Sequence, residues 1–211
     1  MERLAIQKGV PYLECIAGPM FSSKSTEINR RLINIDYYNK HRAEFYGCSG
    51  TISYIVLRPD TDTRDAVIRP VPYDGRNQRI VHRNDIHTDV QDNPTNLLEQ
   101  YDYIILDEAQ FFAPEVIDQV KDLLDHDKYV IVAGLDKDYR GEPFSDFMKW
   151  AMCVADDVTK LTAICVKCGQ PSTMAKLITT DPNEKLDGNV VIEDENHKYV
   201  PMCRKCMALE E

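Results

Sequence analysis

The sequence predicts an α/β protein, a mostly parallel sheet with helices on both faces, followed by a small metal-pinned lobe. Three observations predict it. Short apolar runs of strand length alternate with stretches of helical period, the pattern of a parallel sheet built through helical crossovers. The first of these runs leads straight into a lysine-bearing loop that starts on glycine, and then into a helix. Beyond about Thr162 the helical period fades, and two Cys-x-x-Cys pairs with scattered Gly and Pro take over. The 211 residues suit one domain with an appendage, divided here as 1–161 and 162–211, and can bury a core without disulfides.

Taken in order, Tyr12 to Ala17 predicts the first strand. Ser25 to Tyr38 predicts a helix, because Ile28, Leu32, Ile35 and Tyr38 recur at helical spacing with Arg30 and Arg31 off that stripe. Asn39 to Gly50 is polar and carries glycines, which predicts a loop. Ser53 to Leu57 predicts a second strand, and the charge-rich stretch Asp85 to Asp92 a solvated face. Tyr103 to Leu106 and Tyr129 to Ala133 predict two more buried strands. Between them Pro114 to Leu124 predicts a helix, with proline near the start, where a missing N–H costs least. Trp150, with Phe144, Phe147 and Met148, predicts core or a subunit contact. The last fifty residues are broken into short β-like pieces such as Asn189 to Ile192.

Composition narrows the function. The net charge of −10 argues against nucleic acid as the main partner, since polyanion binders are basic. No run approaches the roughly 18 apolar residues of a membrane span, and Met1 to Val10 has no signal-peptide core, so a cytoplasmic protein with no membrane contact is expected. The cysteine count is odd, seven, and four of them form pairs, which points to metal and not to a disulfide framework.

The loop after the first strand runs Gly18-Pro19-Met20-Phe21-Ser22-Ser23-Lys24-Ser25-Thr26. The phosphate-loop pattern is G-x-x-x-x-G-K-[ST], and only the second glycine is replaced, by Ser23. Such a loop wraps phosphates in backbone N–H groups at a helix N-terminus. Gly18, Ser22, Ser23, Lys24, Ser25 and Thr26 are therefore the candidate ATP contacts, with the Ser25 hydroxyl a candidate ligand of Mg²⁺. Ser23 fits without strain only if its φ is negative. The run Tyr103-Ile104-Ile105-Leu106 ends on Asp107 and Glu108, the form of a strand that delivers one carboxylate to the metal. Strand alternation then places Glu108 on the opposite face from Asp107, where it could take a proton from a substrate hydroxyl.

Cys165-x-x-Cys168 and Cys203-x-x-Cys206, 34 residues apart, offer four thiolates, the ligand set of a closed structural Zn²⁺ site. His197 is kept as an alternative ligand. Cys15, Cys48 and Cys153 are read as ordinary thiols.

With the loop and the block Asp107-Glu108-Ala109-Gln110-Phe111-Phe112 in hand, the chain resembles the type II thymidine kinases. Asp62-Thr63-Arg64, Leu135-Asp136-Lys137-Asp138-Tyr139 with Pro143-Phe144, and Lys198-Tyr199 before the second cysteine pair extend the resemblance over about residues 10 to 206. It implies a P-loop NTPase-like kinase domain with a zinc-ribbon lid. It also implies transfer of the γ-phosphate of ATP to the 5′-hydroxyl of thymidine. Position by position, it makes Glu108 the general base, with Arg64 beside it and Asp107 near the metal. Met20, Phe111, Leu135 and Tyr139 become walls of the base pocket, and Tyr199 a sugar contact. The thymine edge would meet the backbone of Val190, Val191 and Ile192. A homotetramer inhibited by dTTP is the family expectation.

The chain departs from that pattern at four places. Besides Ser23, Glu193-Asp194 replaces a paired glycine in the thymine loop, Ala175-Lys176-Leu177 replaces T-x-R, and Arg42 to Gly50 is extra, read as a surface insertion. The alternatives in order are a kinase for another pyrimidine deoxynucleoside such as deoxyuridine, an inactive nucleotide-binding regulator, and a zinc-ribbon nucleic-acid binder.

Overall fold

A computed structural model of the chain describes residues 9–47, 50–61, 77–180 and 195–209. Strands β1 (Tyr12–Ala17), β2 (Tyr54–Pro59), β3 (Gln78–His82), β4 (Asp85–Asp89), β5 (Tyr103–Leu106), β6 (Tyr129–Gly134) and β7 (Asp157–Lys160) form one sheet. Their order is β4-β3-β2-β5-β6-β1-β7, parallel throughout except for the antiparallel edge pair β3–β4. The fold class is the expected one.

Helices cover both faces, and the pleat of each central strand divides its side chains between them. Leu13, Ile104, Leu106, Val130 and Val132 face α3 (Val116–Asp125) and α4 (Asp146–Val154), where Val116, Val120, Phe147 and Met148 complete one core. Ile16, Ile105, Ile131 and Ala133 point the other way, onto Ile28, Leu32 and Ile35 of α1 (Lys24–Tyr46). Ser145 caps α4 by accepting the N–H of Met148. A single turn, α2 (Leu97–Gln100), precedes β5.

Under α1 the register aligns four tyrosines at the starts of four neighbouring strands: Tyr54, Tyr103, Tyr129 and Tyr12. Tyr103 and Tyr12 stack on either side of Tyr129, at 4.4 and 5.0 Å between centroids. Buried Glu14 beside them is paired with Arg31 of α1, and the Tyr129 hydroxyl donates to it at 3.2 Å. That pairing meets the requirement that a charge inside a core be matched.

Two expectations are corrected. Asn39 to Gly50 is not a loop up to Gly47: α1 continues through Tyr46 and stops where Gly47 takes φ 59°. The Asn39 amide pairs with both backbone groups of Ile52, so a polar residue here anchors the helix to the segment before β2. Arg42 to Tyr46 is thus the last stretch of a helix and not a surface loop. Asp85 to Asp92 is not simply a solvated face either, since Ile86 is fully buried and Asp89 nearly so, capping its own turn. The other boundaries shift by one or two residues, as helix and strand ends commonly do.

The C-terminal lobe holds two small antiparallel sheets, β8 (Ala163–Ile164) with β9 (Pro171–Ser172) and β10 (Ala175–Thr179) with β11 (His197–Pro201), and a closing turn α5 (Arg204–Met207). Its own core is little more than Cys165, Cys206 and Met202. The expected piece Asn189 to Ile192 lies outside the described residues, as does Cys48. Among the described residues no helix is long and apolar enough to cross a membrane.

Candidate active site

The loop after β1 is held from both neighbouring strands. Gly18 N–H donates to Gly134 at the end of β6, and Leu161, just past β7, donates to Ala17. A Cβ on Gly18 would lie 2.8 Å from the Leu161 carbonyl oxygen and 2.7 Å from Ser22 Oγ, so only glycine fits there. Within the loop Ser22 Oγ donates to the Pro19 carbonyl at 2.8 Å. Lys24 Nζ donates across it to the carbonyls of Gly18 and Pro19, at 3.1 and 2.9 Å. The first turn of α1 then presents Ser25 and Thr26, as an anion site at a helix N-terminus requires.

Ser23 is left-handed, φ 66° and ψ 30°, and Phe21 before it has φ 64°. The condition for a strain-free serine is not met. The loop keeps the backbone shape that glycine would supply, and Ser23 adopts it at a cost of about 1 kcal/mol.

Loop residues Met20 to Thr26, with Glu108 after β5 and Leu135 after the adjacent β6, line one cavity of about 330 Å³. Glu108 does not reach it by strand alternation. The pleat ends at Leu106, and Glu108 has φ 54°, a left-handed residue that opens the 3₁₀ turn Ala109–Phe111. Its backbone N–H donates to Oδ1 of Asp107 at 2.9 Å. Asp107 is buried next to it and does not line the cavity.

The remaining predicted residues are more scattered. Phe111 stands on the 3₁₀ turn with Phe144 edge-on at 5.8 Å, and Tyr139 lies under the Arg140 guanidinium in the loop after β6. Tyr199 is on β11 in register with Leu177, in the C-terminal lobe. Arg64, Val190, Val191, Ile192, Glu193 and Asp194 lie outside the described residues. One buried residue went unassigned in the sequence: Gln110, whose Nε2 donates to Glu108 Oε2 at 2.7 Å.

Beyond the cavity, Cys165, Cys168, Cys203 and Cys206 bring their sulfur atoms within 4.8 Å of one another. Cys168 and Cys203 are 3.6 Å apart, far beyond a disulfide. A tetrahedron of sulfurs about 2.3 Å from Zn²⁺ has edges of about 3.8 Å, so the four residues fit a structural zinc. Backbone N–H groups, that of Cys203 foremost, with those of Cys168 and Lys167, lower the Cys165 thiol below its ordinary value. His197 is not in the cluster.

A mostly parallel sheet flanked by helices, whose first strand feeds a lysine-bearing loop and a helix, defines an α/β protein of the P-loop architecture. The model of the thymidine kinase family matches residues 11–207, nearly the whole chain, and the chain belongs to that family. Membership makes it a nucleoside kinase, a transferase that uses ATP and a metal ion.

Proposed function

We propose that this chain transfers the γ-phosphate of ATP to the 5′-hydroxyl of thymidine, yielding dTMP for DNA synthesis through nucleotide salvage. The observation that carries the reading is one cavity lined by both the loop residues Ser22 to Thr26 and Glu108. A donor phosphate cradled by one wall and an acceptor hydroxyl at the other would be brought in line.

In this reading backbone N–H groups of Gly18 to Ser25 bind the phosphates, and Lys24 exchanges its loop carbonyls for phosphate oxygens. The Ser25 hydroxyl, which lines the cavity, is a hard oxygen donor suited to Mg²⁺, and Asp107, outside that lining, would support the ion through water. Glu108 takes the proton from the attacking hydroxyl. Met20, Leu135, Phe111 and Tyr139 wall the base, Tyr199 meets the sugar, and Arg64 and Val190 to Ile192 complete the site by resemblance. Residues 162–211 act as a lid that excludes water, pinned by zinc because their own core is too small.

A homotetramer with dTTP as feedback inhibitor and a cytoplasmic location complete the reading. The exposed hydrophobic residues Ile33, Tyr37 and Phe45 on one face of α1, with the His41 ring between the rings of Tyr37 and Phe45, support association.

A second reading, a kinase for another pyrimidine deoxynucleoside such as deoxyuridine, is favoured by Ala175 at the start of β10, where a threonine would meet the thymine methyl. The test is product formation from thymidine, deoxyuridine and deoxycytidine with ATP. Conversion of thymidine supports the first reading and conversion of deoxyuridine alone the second. Nucleotide binding without any product would leave a regulator.

A further inference from the structure

Gln110 is 3% exposed, sits two residues beyond Glu108, and uses both ends of its side chain. Its Oε1 accepts the backbone N–H of Leu135 at 3.0 Å, and its Nε2 donates to Glu108 Oε2 at 2.7 Å. The first contact settles the amide's orientation. An N–H can be met only by the oxygen, so the amino group must face the carboxylate. The space for this is made by Gly134, where a Cβ would fall 2.8 Å from Gln110 Oε1 and 3.0 Å from Gln110 N.

We propose that Gln110 is a positioning residue that fixes the carboxylate plane of Glu108 for proton abstraction, taking its own alignment from the Leu135 N–H. The inference rests on Glu108 being the base. A carboxylate's last torsion is broad, and a left-handed backbone does not define it. One charge-assisted hydrogen bond from a buried amide does, and a base so held needs little reorganisation when the hydroxyl arrives. The same amide ties the base to the loop after β6. Two residues past Leu135, Lys137 Nζ reaches the Thr173 carbonyl of the C-terminal lobe at 3.4 Å. Glu108 is thereby linked to the segment on which that lobe rests.

The test is a double-mutant cycle. Gln110→Met keeps volume and burial and removes both hydrogen bonds; Gln110→Asn keeps the amide but is one methylene too short to span them. Each is expected to lower kcat about 10- to 100-fold. KM for ATP and the affinity for a fluorescent ATP analogue should stay within about twofold, which also reports a folded loop. In a Glu108→Gln background the same changes should alter the residual rate less than about twofold, because residues acting as one unit are not additive. Equal losses in both backgrounds, or wild-type kcat in Gln110→Met and Gln110→Asn, overturn the positioning role and leave the base assignment standing. Substantial turnover in Glu108→Gln alone overturns the base assignment, and the positioning role with it.

Discussion

Lys160 Nζ lies 2.9 Å from Asp136 Oδ2, and the strand carrying the phosphate loop runs between the strands that bear them. Asp136 follows β6 and Lys160 ends β7, so the pair closes across the carboxyl end of β1. Asp136 is 5% exposed and also holds Lys137. Burial works against its charge, but the two ammonium groups outweigh burial and keep its carboxyl below the ordinary value.

Asp136→Asn is expected to cost about 2 kcal/mol at pH 7, below the full price of breaking a buried pair because Lys160 is nearly half exposed. The native carboxyl titrates below its unfolded value. Its contribution is therefore complete above the unfolded carboxylate range, about 4, and fades as pH falls through the lower native value. Urea midpoints of the two proteins should differ clearly at pH 7 and converge towards pH 3. A gap independent of pH contradicts the charge account.

Ser23→Gly should relax the phosphate loop. Removing the Cβ relieves the left-handed strain, part of which returns as unfolded-chain entropy. A net gain of about 0.5 kcal/mol and a Tm rise of about 1–2 °C are expected. Ser23→Val should move the same way as strain, downwards, since a β-branched residue tolerates this backbone least. Calorimetry on the three proteins decides; a lower Tm for Ser23→Gly counts against strain at this position.

Gly18→Ala tests the close approach of the loop to Leu161. The added methyl meets a backbone carbonyl at 2.8 Å, which cannot rotate away as a side chain could. Nucleotide affinity should fall at least tenfold with a stability loss of about 1–3 kcal/mol. Titration with an ATP analogue at wild-type strength would show that the loop can retreat.

Thiol reactivity should separate the cysteines. Burial first, then the nearby charges of Asp136 and Glu14, push the Cys15 thiol up to about 12, whereas Cys153 is exposed. In the native protein iodoacetamide should label Cys153 and spare Cys15. A strong chelator should expose Cys165, Cys168, Cys203 and Cys206 together. Mass spectrometry reads each site, and the four becoming reactive without chelator argues against a bound metal.

The parts of the fold visible in the sequence were those where one local rule decides. Tyr12–Ala17 and Tyr103–Leu106 end where their apolar runs end, because parallel strands buried on both faces carry no other pattern. β3 and β4 lie at the sheet's edge with mixed exposure, and their composition resembles a loop. The end of α1 was marked by Gly47, but Asn39 and its polar neighbours masked it. At the site, Lys24, Ser25 and Glu108 follow from motif spacing. The left-handed φ of Ser23 does not, because a serine's backbone state is set by the loop around it. Gln110 was hidden for a different reason: its partner, the Leu135 N–H, comes from the loop after β6, 25 residues away.

The tyrosine ladder gives the molecule optical reporters on opposite sides of its sheet. Tyr54, Tyr103 and Tyr129 border the α1 core, while the only tryptophan, Trp150, packs beside Phe147 on the α3–α4 side. The part of the tyrosine near-ultraviolet dichroism that Tyr129→Phe removes comes from this stack, and its loss follows undocking of the helix that begins at the phosphate loop. A shift in indole emission follows the other layer. Comparing the two signals during denaturation tells whether the layers come apart together or in turn.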